Sequence, residues 1–218
     1  MKRLASLMFG LAALAACNAC GDDGGADASI DGPPDNCAPE MTMTGEYVDW
    51  DSTETAFHGI FGATFVLRAD TTRMATTAPN GRFLFPCIPA ADGFVDITPM
   101  TGSDYVAGTI VVNKATIQSG AMQSYRSFTA TRAAEFGFSA AMAHVYVHVE
   151  GGAKAVTIAG TAGVTKHFDG GAWVDGNTGT DVYLGNIAPA ASTTLSVGGA
   201  SAGSIPLAAG QFTYVTVR

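Results

Sequence analysis

The sequence predicts an all-β protein built as a sandwich, and three observations indicate that class. From Met41 onward apolar and polar residues alternate with a period of two, which is the pattern of half-buried strands. Turn-forming residues recur at regular intervals between these segments, as they do in antiparallel sandwiches. Charged residues make up only 14% of the chain, which contains 27 glycines. This composition suits thin β layers with small side chains, and the regular turn signals favour a sandwich over an α/β fold.

The first segment, residues 1–16, predicts a lipoprotein signal peptide. It combines the basic residues Lys2 and Arg3, an apolar stretch too short to span a bilayer, and small residues before Cys17. Cys17 stands where a bacterial lipoprotein carries its lipid. We therefore expect the mature chain to begin at Cys17 and to be held at a membrane by its acyl chains.

Residues 17–40 are predicted to form a disordered, acidic tether. The segment is rich in Asp, Gly and Pro and lacks aromatic residues, so it cannot bury enough apolar area to offset the entropy of ordering. Its acidic residues lack the spacing of an EF-hand loop. The formal net charge of −8 argues against nucleic acid as a partner. No cofactor motif is present, and we predict neither a cofactor nor a metal site.

The four cysteines fit an oxidising compartment. With Cys17 used for the lipid, we predict a disulfide between Cys37, which opens the folded region, and Cys87, which follows a strong strand. Cys20 would then be a free thiol. The C-x-x-C spacing of Cys17 and Cys20 lacks the βαβ context of a redox motif.

The alternating region divides into two predicted sandwich domains, 41–132 and 133–218. Asn80-Gly81 predicts a tight hairpin turn, and a short helical turn is weakly indicated within 133–143. A weak internal repeat supports the division: Phe83-Leu84-Phe85-Pro86-Cys87-Ile88 matches Val182-Tyr183-Leu184-Gly185-Asn186-Ile187, and Pro-Ala-Ala follows in both. A single continuous domain is the alternative. The predicted strands are 45–50, 62–67, 83–85, 94–97, 109–112, 125–131, 145–149, 155–158, 182–187, 194–197 and 212–217.

Three motifs in the first domain resemble the carboxypeptidase regulatory-like domain. They are Gly45-x-x-Val48-Asp49, Gly62-Ala63-Thr64-Phe65-Val66-Leu67 and Asn80-Gly81-x-Phe83-x-Phe85. The resemblance implies a transthyretin-like (prealbumin-like) Greek-key sandwich for residues 41–132, and a role as an accessory module. The acidic tether after a lipidated cysteine also resembles lipoproteins of myxobacteria-like bacteria. By that resemblance Asn18, next to the lipid, implies export to the outer membrane.

The segment from His144 to His148 contains the clearest candidate binding residues. It is β-branched and alternating, so it predicts a strand, on which two residues four apart are separated by about 13 Å. The two histidines therefore cannot hold one metal ion together. We expect Val145, Val147 and Val149 to face inward, and His144, Tyr146 and His148 to face outward as a polar row.

Aromatic and acidic residues supply further candidates. Trp50 and Trp173, with Tyr47 and Tyr183, could form a platform for sugar rings, although aromatic residues in sandwiches more often belong to the core. Asp169, Asp175 and Asp181 lie among glycines, so we expect them to cap turn amides rather than to act as acids or bases.

Three functions are compatible with these features. The first is a non-catalytic binding or structural module of the cell envelope, with a glycan or an envelope protein as ligand. The second is a hydrolase or metal-dependent enzyme, which would bring together distant residues among His58, His144, His148 and His167 with carboxylates. The third is an architectural component that assembles through exposed strand edges.

Overall fold

A computed structural model describes residues 41–52, 56–89, 91–114 and 122–218. All described residues belong to one compact unit of the chain. The predicted signal peptide and tether lie outside the described residues. No helix in the described ranges is long and apolar enough to cross a membrane.

The described residues form strands and one short helix, α1 (Ala130–Glu135). The strands are β1 (Met41–Asp49), β2 (Thr64–Leu67), β3 (Met74–Thr76), β4 (Arg82–Ile88), β5 (Gly93–Thr98), β6 (Gly108–Val112), β7 (Gln123–Ser127), β8 (Ala143–Val149), β9 (Lys154–Ile158), β10 (Val164–Phe168), β11 (Trp173–Asp175), β12 (Thr178–Gly179), β13 (Asp181–Ile187), β14 (Ala190–Val197), β15 (Ala200–Leu207) and β16 (Phe212–Val217). The predicted all-β sandwich is confirmed.

The strands form a large central sheet and two smaller ones. The central sheet has nine strands in the order β11-β10-β13-β8-β16-β6-β5-β2-β3. A three-stranded sheet has the order β4-β1-β7, and a four-stranded sheet has the order β12-β9-β14-β15. Strand β16 lies in the middle of the central sheet and is parallel to both β6 and β8.

Successive side chains of β8 and β16 point to opposite faces of the central sheet, so they belong to two different hydrophobic cores. Tyr146 and Tyr214 belong to an aromatic core that also holds residues of the three-stranded sheet, such as Tyr47. Val147 and Val215 point to the other face and belong to an aliphatic core, which includes Leu195 of the four-stranded sheet. The central sheet is therefore buried on both faces along these strands, because a smaller sheet packs on each side.

The predicted boundary between 132 and 133 does not coincide with a break in the sheet. Strand β16, from the second half, inserts between β6 of the first half and β8 of the second. Phe212 and Tyr214 also pack in the aromatic core with residues of the first half. The two cores thus share one sheet, because the last strand joins the halves through two parallel pairings that alternation alone does not reveal.

Asn80-Gly81 forms a tight turn, but this turn does not join two neighbouring strands of one sheet. Gly81 donates its N–H to the Ala78 carbonyl at 2.8 Å, and only Gly81 of the pair has a positive φ, 73°. The turn leads from β3 in the central sheet to β4 in the three-stranded sheet. It therefore connects two layers rather than two neighbouring strands.

The connection after β7 also differs from expectation. The predicted strand 125–131 ends at Ser127, and the Thr129 hydroxyl accepts the Arg132 N–H at 3.1 Å, which caps α1. The helix therefore begins before the predicted segment 133–143 and ends at Glu135. Gly137, with φ 72°, follows in the left-handed conformation that commonly terminates helices.

Candidate functional site

The predicted outward row on β8 is mostly buried. His144 is 0% exposed and Tyr146 is 3% exposed. Only His148, near the end of the strand, keeps substantial exposure, at 43% of its side chain. The prediction of a polar surface at His144 and Tyr146 is wrong, because the aromatic core covers this face of β8 and the aliphatic core covers the valine face.

His144 is an interior histidine held in its neutral form. Its Nε2 lies 3.2 Å from the Ser139 carbonyl, which can only accept, so Nε2 carries the hydrogen and Nδ1 accepts from the Tyr183 hydroxyl at 2.8 Å. The ring stacks on Phe138 with centroids 3.9 Å apart. Burial lowers the pKa of His144 to about 4, although the hydrogen bond to Ser139 opposes the shift.

Four side chains at one end of the aromatic face form what we name the ledge: Phe168, Trp173, Asp181 and His148. Strand pairing makes them cross-strand neighbours: Phe168 lies opposite Trp173, and Asp181 lies opposite His148. Phe168 is one residue beyond His167, which pairs with Val182. The ledge therefore crosses strands β11, β10, β13 and β8 at one level of the central sheet.

Asp181 is the acceptor at the centre of the ledge. Its Oδ1 accepts from the Tyr146 hydroxyl at 2.6 Å and lies 2.8 Å from His148 Nδ1. Its Oδ2 accepts from the Thr180 hydroxyl at 3.2 Å. Burial would raise the pKa of Asp181, but the hydrogen bonds from His148 and Tyr146 outweigh it and hold the pKa of the carboxyl below its ordinary value. The carboxylate is thus ionised and fixed.

His148 is oriented by this carboxylate. Nδ1 donates to Asp181, which leaves Nε2 as the other polar atom of a ring that is 43% exposed. The hydrogen bond to Asp181 raises the pKa of His148 above its ordinary value, with burial opposing it. The ring can donate from Nε2 when it is protonated and can accept there when it is neutral.

Arg126 adds a fixed cation close to the ledge. Its Nη1 donates to the carbonyl oxygens of Trp50 at 3.2 Å and of Ser52 at 2.7 Å. Its charge partly opposes the rise in the pKa of Tyr146, which comes mainly from burial and Asp181, and the rise in the pKa of His148, which comes mainly from the hydrogen bond to Asp181. Arg126, on β7, is therefore held near the polar part of the ledge by two carbonyls that follow β1.

Trp50 and Trp173 are in contact, but they do not form an exposed platform. Trp50 is 2% exposed and belongs to the aromatic core, as the core interpretation predicts. Half-buried Trp173 stacks on it with ring centroids 4.3 Å apart and an interplanar angle of 28°. Tyr183 lies edge-on to Trp50, whereas Tyr47 packs against Phe65 elsewhere in the core. Of the four predicted platform residues, Trp173 is the one that reaches the ledge.

A cleft of about 420 Å³ lies on the opposite face of the central sheet. Its lining includes Arg68, Thr109 and Thr213 together with proline, alanine and leucine residues at the ends of β14 and β15. The polar groups already have partners: Arg68 donates to Asp96 and Thr109, and the Thr213 hydroxyl donates to the Pro206 carbonyl. The cleft offers mainly small apolar surfaces.

The other predicted catalytic or metal-binding residues do not converge. Within the described ranges no group of three or more His, Cys, Asp and Glu residues could hold a metal ion. His58 is exposed in the loop after β1. His167 pairs with Val182 on β13, and its Nδ1 is buried without a hydrogen-bond partner. Of the four histidines, His148 is the one whose ring is hydrogen-bonded to a carboxylate.

The three aspartates among the glycines have different roles. Asp169 caps a turn, as predicted, by accepting from the backbone N–H groups of Gly171 at 3.0 Å and Ala172 at 2.8 Å. Asp175 instead forms an ion pair with Lys166 at 2.8 Å. Asp181 opens β13 and belongs to the ledge. Sequence reasoning missed its role and that of Phe168, since both depend on which strands become neighbours.

Cys87 is disulfide-bonded. Its predicted partner Cys37, the predicted lipid site Cys17 and the predicted free thiol Cys20 lie outside the described residues. The Cys87 carbonyl accepts a hydrogen bond from Arg73. The pairing of Cys37 with Cys87 stays a prediction.

Comparison with known proteins yields two similar solved structures and no family. No family model and no curated protein matches the chain. The TIE protein of Bacillus anthracis is 13% identical, with a TM-score of 0.27 over 82% of this chain and 34% of that one. GBS52, the minor pilin of Streptococcus agalactiae, is 8% identical, with a TM-score of 0.24 over 81% of this chain and 94% of that one. This chain spans about a third of the TIE protein, and the carboxypeptidase regulatory-like resemblance stays a prediction.

Proposed function

We propose that the protein is a lipid-anchored, extracytoplasmic binding module of the cell envelope, and that its ligand contacts the ledge. The observation that carries the proposal is the ledge itself. Phe168 and Trp173 offer apolar rings, and on the next two strands Asp181 fixes the orientation of His148, whose side chain is 43% exposed. Apolar rings beside a few fixed polar groups are typical of binding sites.

The anchoring part of the proposal rests on the sequence. The basic start, the short apolar stretch and Cys17 favour a lipidated N-terminus. The outer membrane is the proposed location, and the acidic segment 17–40 would separate the ledge from the lipid surface. A membrane held through the lipid and a glycan or envelope protein held at the ledge are the proposed partners.

A non-catalytic role fits the way the ledge is bonded. Asp181 already accepts hydrogen bonds from Tyr146, His148 and Thr180, so both of its oxygens are engaged. Such a carboxylate orients its neighbours but has little capacity to act as a general base. A hydrolase is the second candidate, because a carboxylate that orients a histidine through Nδ1 also occurs in nucleophilic enzymes.

Photo-crosslinking in cells tests the binding role. A photoreactive phenylalanine analogue at Phe168, which is 37% exposed, should crosslink to an envelope component. The same analogue at Phe61, 52% exposed and next to β2 at the far side of the central sheet, is the matched control. Equal crosslinking at both positions, or none at Phe168, would contradict the proposal. Turnover of ester or peptide substrates that is lost in His148→Gln would favour the hydrolase.

Mass spectrometry of the purified full-length protein tests the anchor. The expected mature N-terminus is an acylated Cys17, and Cys17→Ser should leave the protein without acyl chains. An intact leader with an unmodified Cys17 thiol would contradict the proposed anchoring without affecting the ledge.

A further inference from the structure

We infer that the ledge binds the ring of an uncharged carbohydrate, an inference that rests on the proposed binding function and names its ligand class. The ledge combines two chemistries that a pyranose needs together. The apolar C–H face of the sugar ring requires a flat aromatic surface. The hydroxyl groups of the sugar require fixed hydrogen-bond donors and acceptors beside that surface.

The aromatic half of the ledge is held in place before any ligand arrives. Trp173 stacks on the buried Trp50, and it also has Phe168 at 5.6 Å and Phe136 at 6.5 Å between ring centroids. Phe168 is itself 37% exposed. Because these rings are fixed by packing, a sugar that contacts them orders few side chains on binding.

The polar half lies next to these rings and is also fixed. The Tyr146 ring is 6.5 Å from the Trp173 ring, and its hydroxyl donates to Asp181 at 2.6 Å. Asp181 in turn holds His148 by Nδ1, which leaves Nε2 to exchange a hydrogen bond with a hydroxyl group. A hydroxyl group can donate or accept, so it suits His148 in either protonation state.

The charges around the ledge favour an uncharged ring over an acidic one. Asp181 is ionised, and Glu150 lies close enough to His148 to influence it electrostatically. The cations near the ledge already have partners: Arg126 donates to two backbone carbonyls, Lys166 is paired with Asp175 at 2.8 Å, and Arg218 is paired with Glu150 at 2.6 Å. With a formal net charge of −8, the chain would repel polyanions such as uronic acid polymers.

The test measures binding of the full-length protein in detergent to an array of oligosaccharides. The probes are neutral gluco-, manno- and N-acetylglucosamine oligomers, with uronic acid oligomers for comparison. We expect at least one neutral series to bind and the uronic acids not to bind. Phe168→Ala and His148→Gln should each weaken binding by about tenfold, which is the loss expected for one ring contact or one hydrogen bond.

Phe61→Ala is the matched control and should bind like the wild type, because Phe61 is an exposed phenylalanine remote from the ledge. Thermal unfolding of each variant confirms that the fold is retained. Neutral sugars that bind Phe168→Ala and His148→Gln as tightly as the wild type would overturn the inference.

Failure of the ligand class and failure of the binding role give different results. A protein crosslinked at Phe168 but not at Phe61, with no sugar binding on the array, would overturn the carbohydrate inference and leave the proposed binding function intact. Absence of both sugar binding and specific crosslinking would overturn both proposals.

Discussion

Cys87 and Asn186 adopt the same left-handed backbone conformation at equivalent places in two strands. Their φ angles are 58° and 55°, and in the described ranges they are the only non-glycine residues with positive φ. Each precedes a buried isoleucine, Ile88 or Ile187. In the internal repeat found in the sequence, these two residues occupy matching positions.

In both strands, the residue with positive φ lies within a β-bulge. The β4 partners of Met41 and Met43 are Ile88 and Phe85, which are three positions apart instead of two, so β4 carries one extra residue between them. On β13, an extra residue likewise lies between Leu184 and Ile187. Such bulges need a residue with an unusual φ and redirect the strand that follows. The weak repeat therefore encodes one structural unit used twice.

Replacing Asn186 should destabilise the protein through this bulge. Its Oδ1 accepts from Ser139 N–H at 3.0 Å and its Nδ2 donates to the Gly137 carbonyl at 2.6 Å. Asn186→Ala loses both bonds and strains a positive φ, so we expect a loss of about 2–4 kcal/mol in the free energy of unfolding. Asn186→Gly relieves the strain and should cost less. Urea unfolding measures both, and an alanine variant as stable as the glycine variant would contradict this account.

Of the sixteen strands in the described ranges, the sequence predicts eleven, because each of these is a local alternation, as in β8 and β16. It misses β3, β10, β11, β12 and β15. It does not predict that β16 lies between β6 and β8, since parallel pairing between distant segments leaves no local signal. Packing of the aromatic core on this face of the central sheet buries His144 and Tyr146, which alternation alone assigns to solvent. The ledge also cannot be recognised from the sequence, because Asp181 and His148 become neighbours only through strand pairing.

The stability of the protein should fall as the pH decreases from 6.5 towards 4, partly because of His144. Its pKa is lowered from 6.5 to about 4, so in this range the unfolded chain binds a proton that the folded chain does not. We expect His144→Phe to show a weaker dependence of the unfolding midpoint on pH in this window. The phenylalanine variant should also be less stable at pH 7, because the Tyr183 hydroxyl loses its partner. An unchanged pH profile in the variant would argue against a neutral interior histidine.

The pair of His148 and Asp181 should contribute in the opposite direction. Because the pKa of His148 is raised, its contribution is complete below 6.5 and is lost as the pH rises through the folded-state pKa. The contribution of Asp181, whose pKa is lowered, is complete above 3.8 and is lost at lower pH. The pair therefore stabilises the fold between these values. His148→Gln should lower the melting temperature at pH 5 by at most about 4 °C, with a smaller effect at pH 8. An equal effect at both pH values would contradict the ion pair.

The disulfide of Cys87 should join it to Cys37. Peptide mapping of the unreduced protein should recover these two residues in one linked peptide, and Cys20 should react with an alkylating reagent. Cys87→Ser should lower the free energy of unfolding by about 2–4 kcal/mol, because the unfolded chain is no longer constrained by a closed loop. A linked peptide containing Cys20 in place of Cys37 would disprove the predicted pairing.

Gly81 should tolerate no side chain, because the turn between the two layers leaves no space for one. A Cβ at this position would lie 2.4 Å from the Tyr47 carbonyl oxygen and 2.7 Å from Gly59 Cα, and its φ is 73°. Since both neighbours are backbone atoms, the strands would have to move, and we expect Gly81→Ala to cost at least about 2 kcal/mol in the free energy of unfolding. Gly93→Ala is the matched control, because a Cβ there would meet nothing within 4 Å. Similar unfolding midpoints in urea for the two variants would show that the turn can relax, and that the close approach of β1 to this turn is not required for stability.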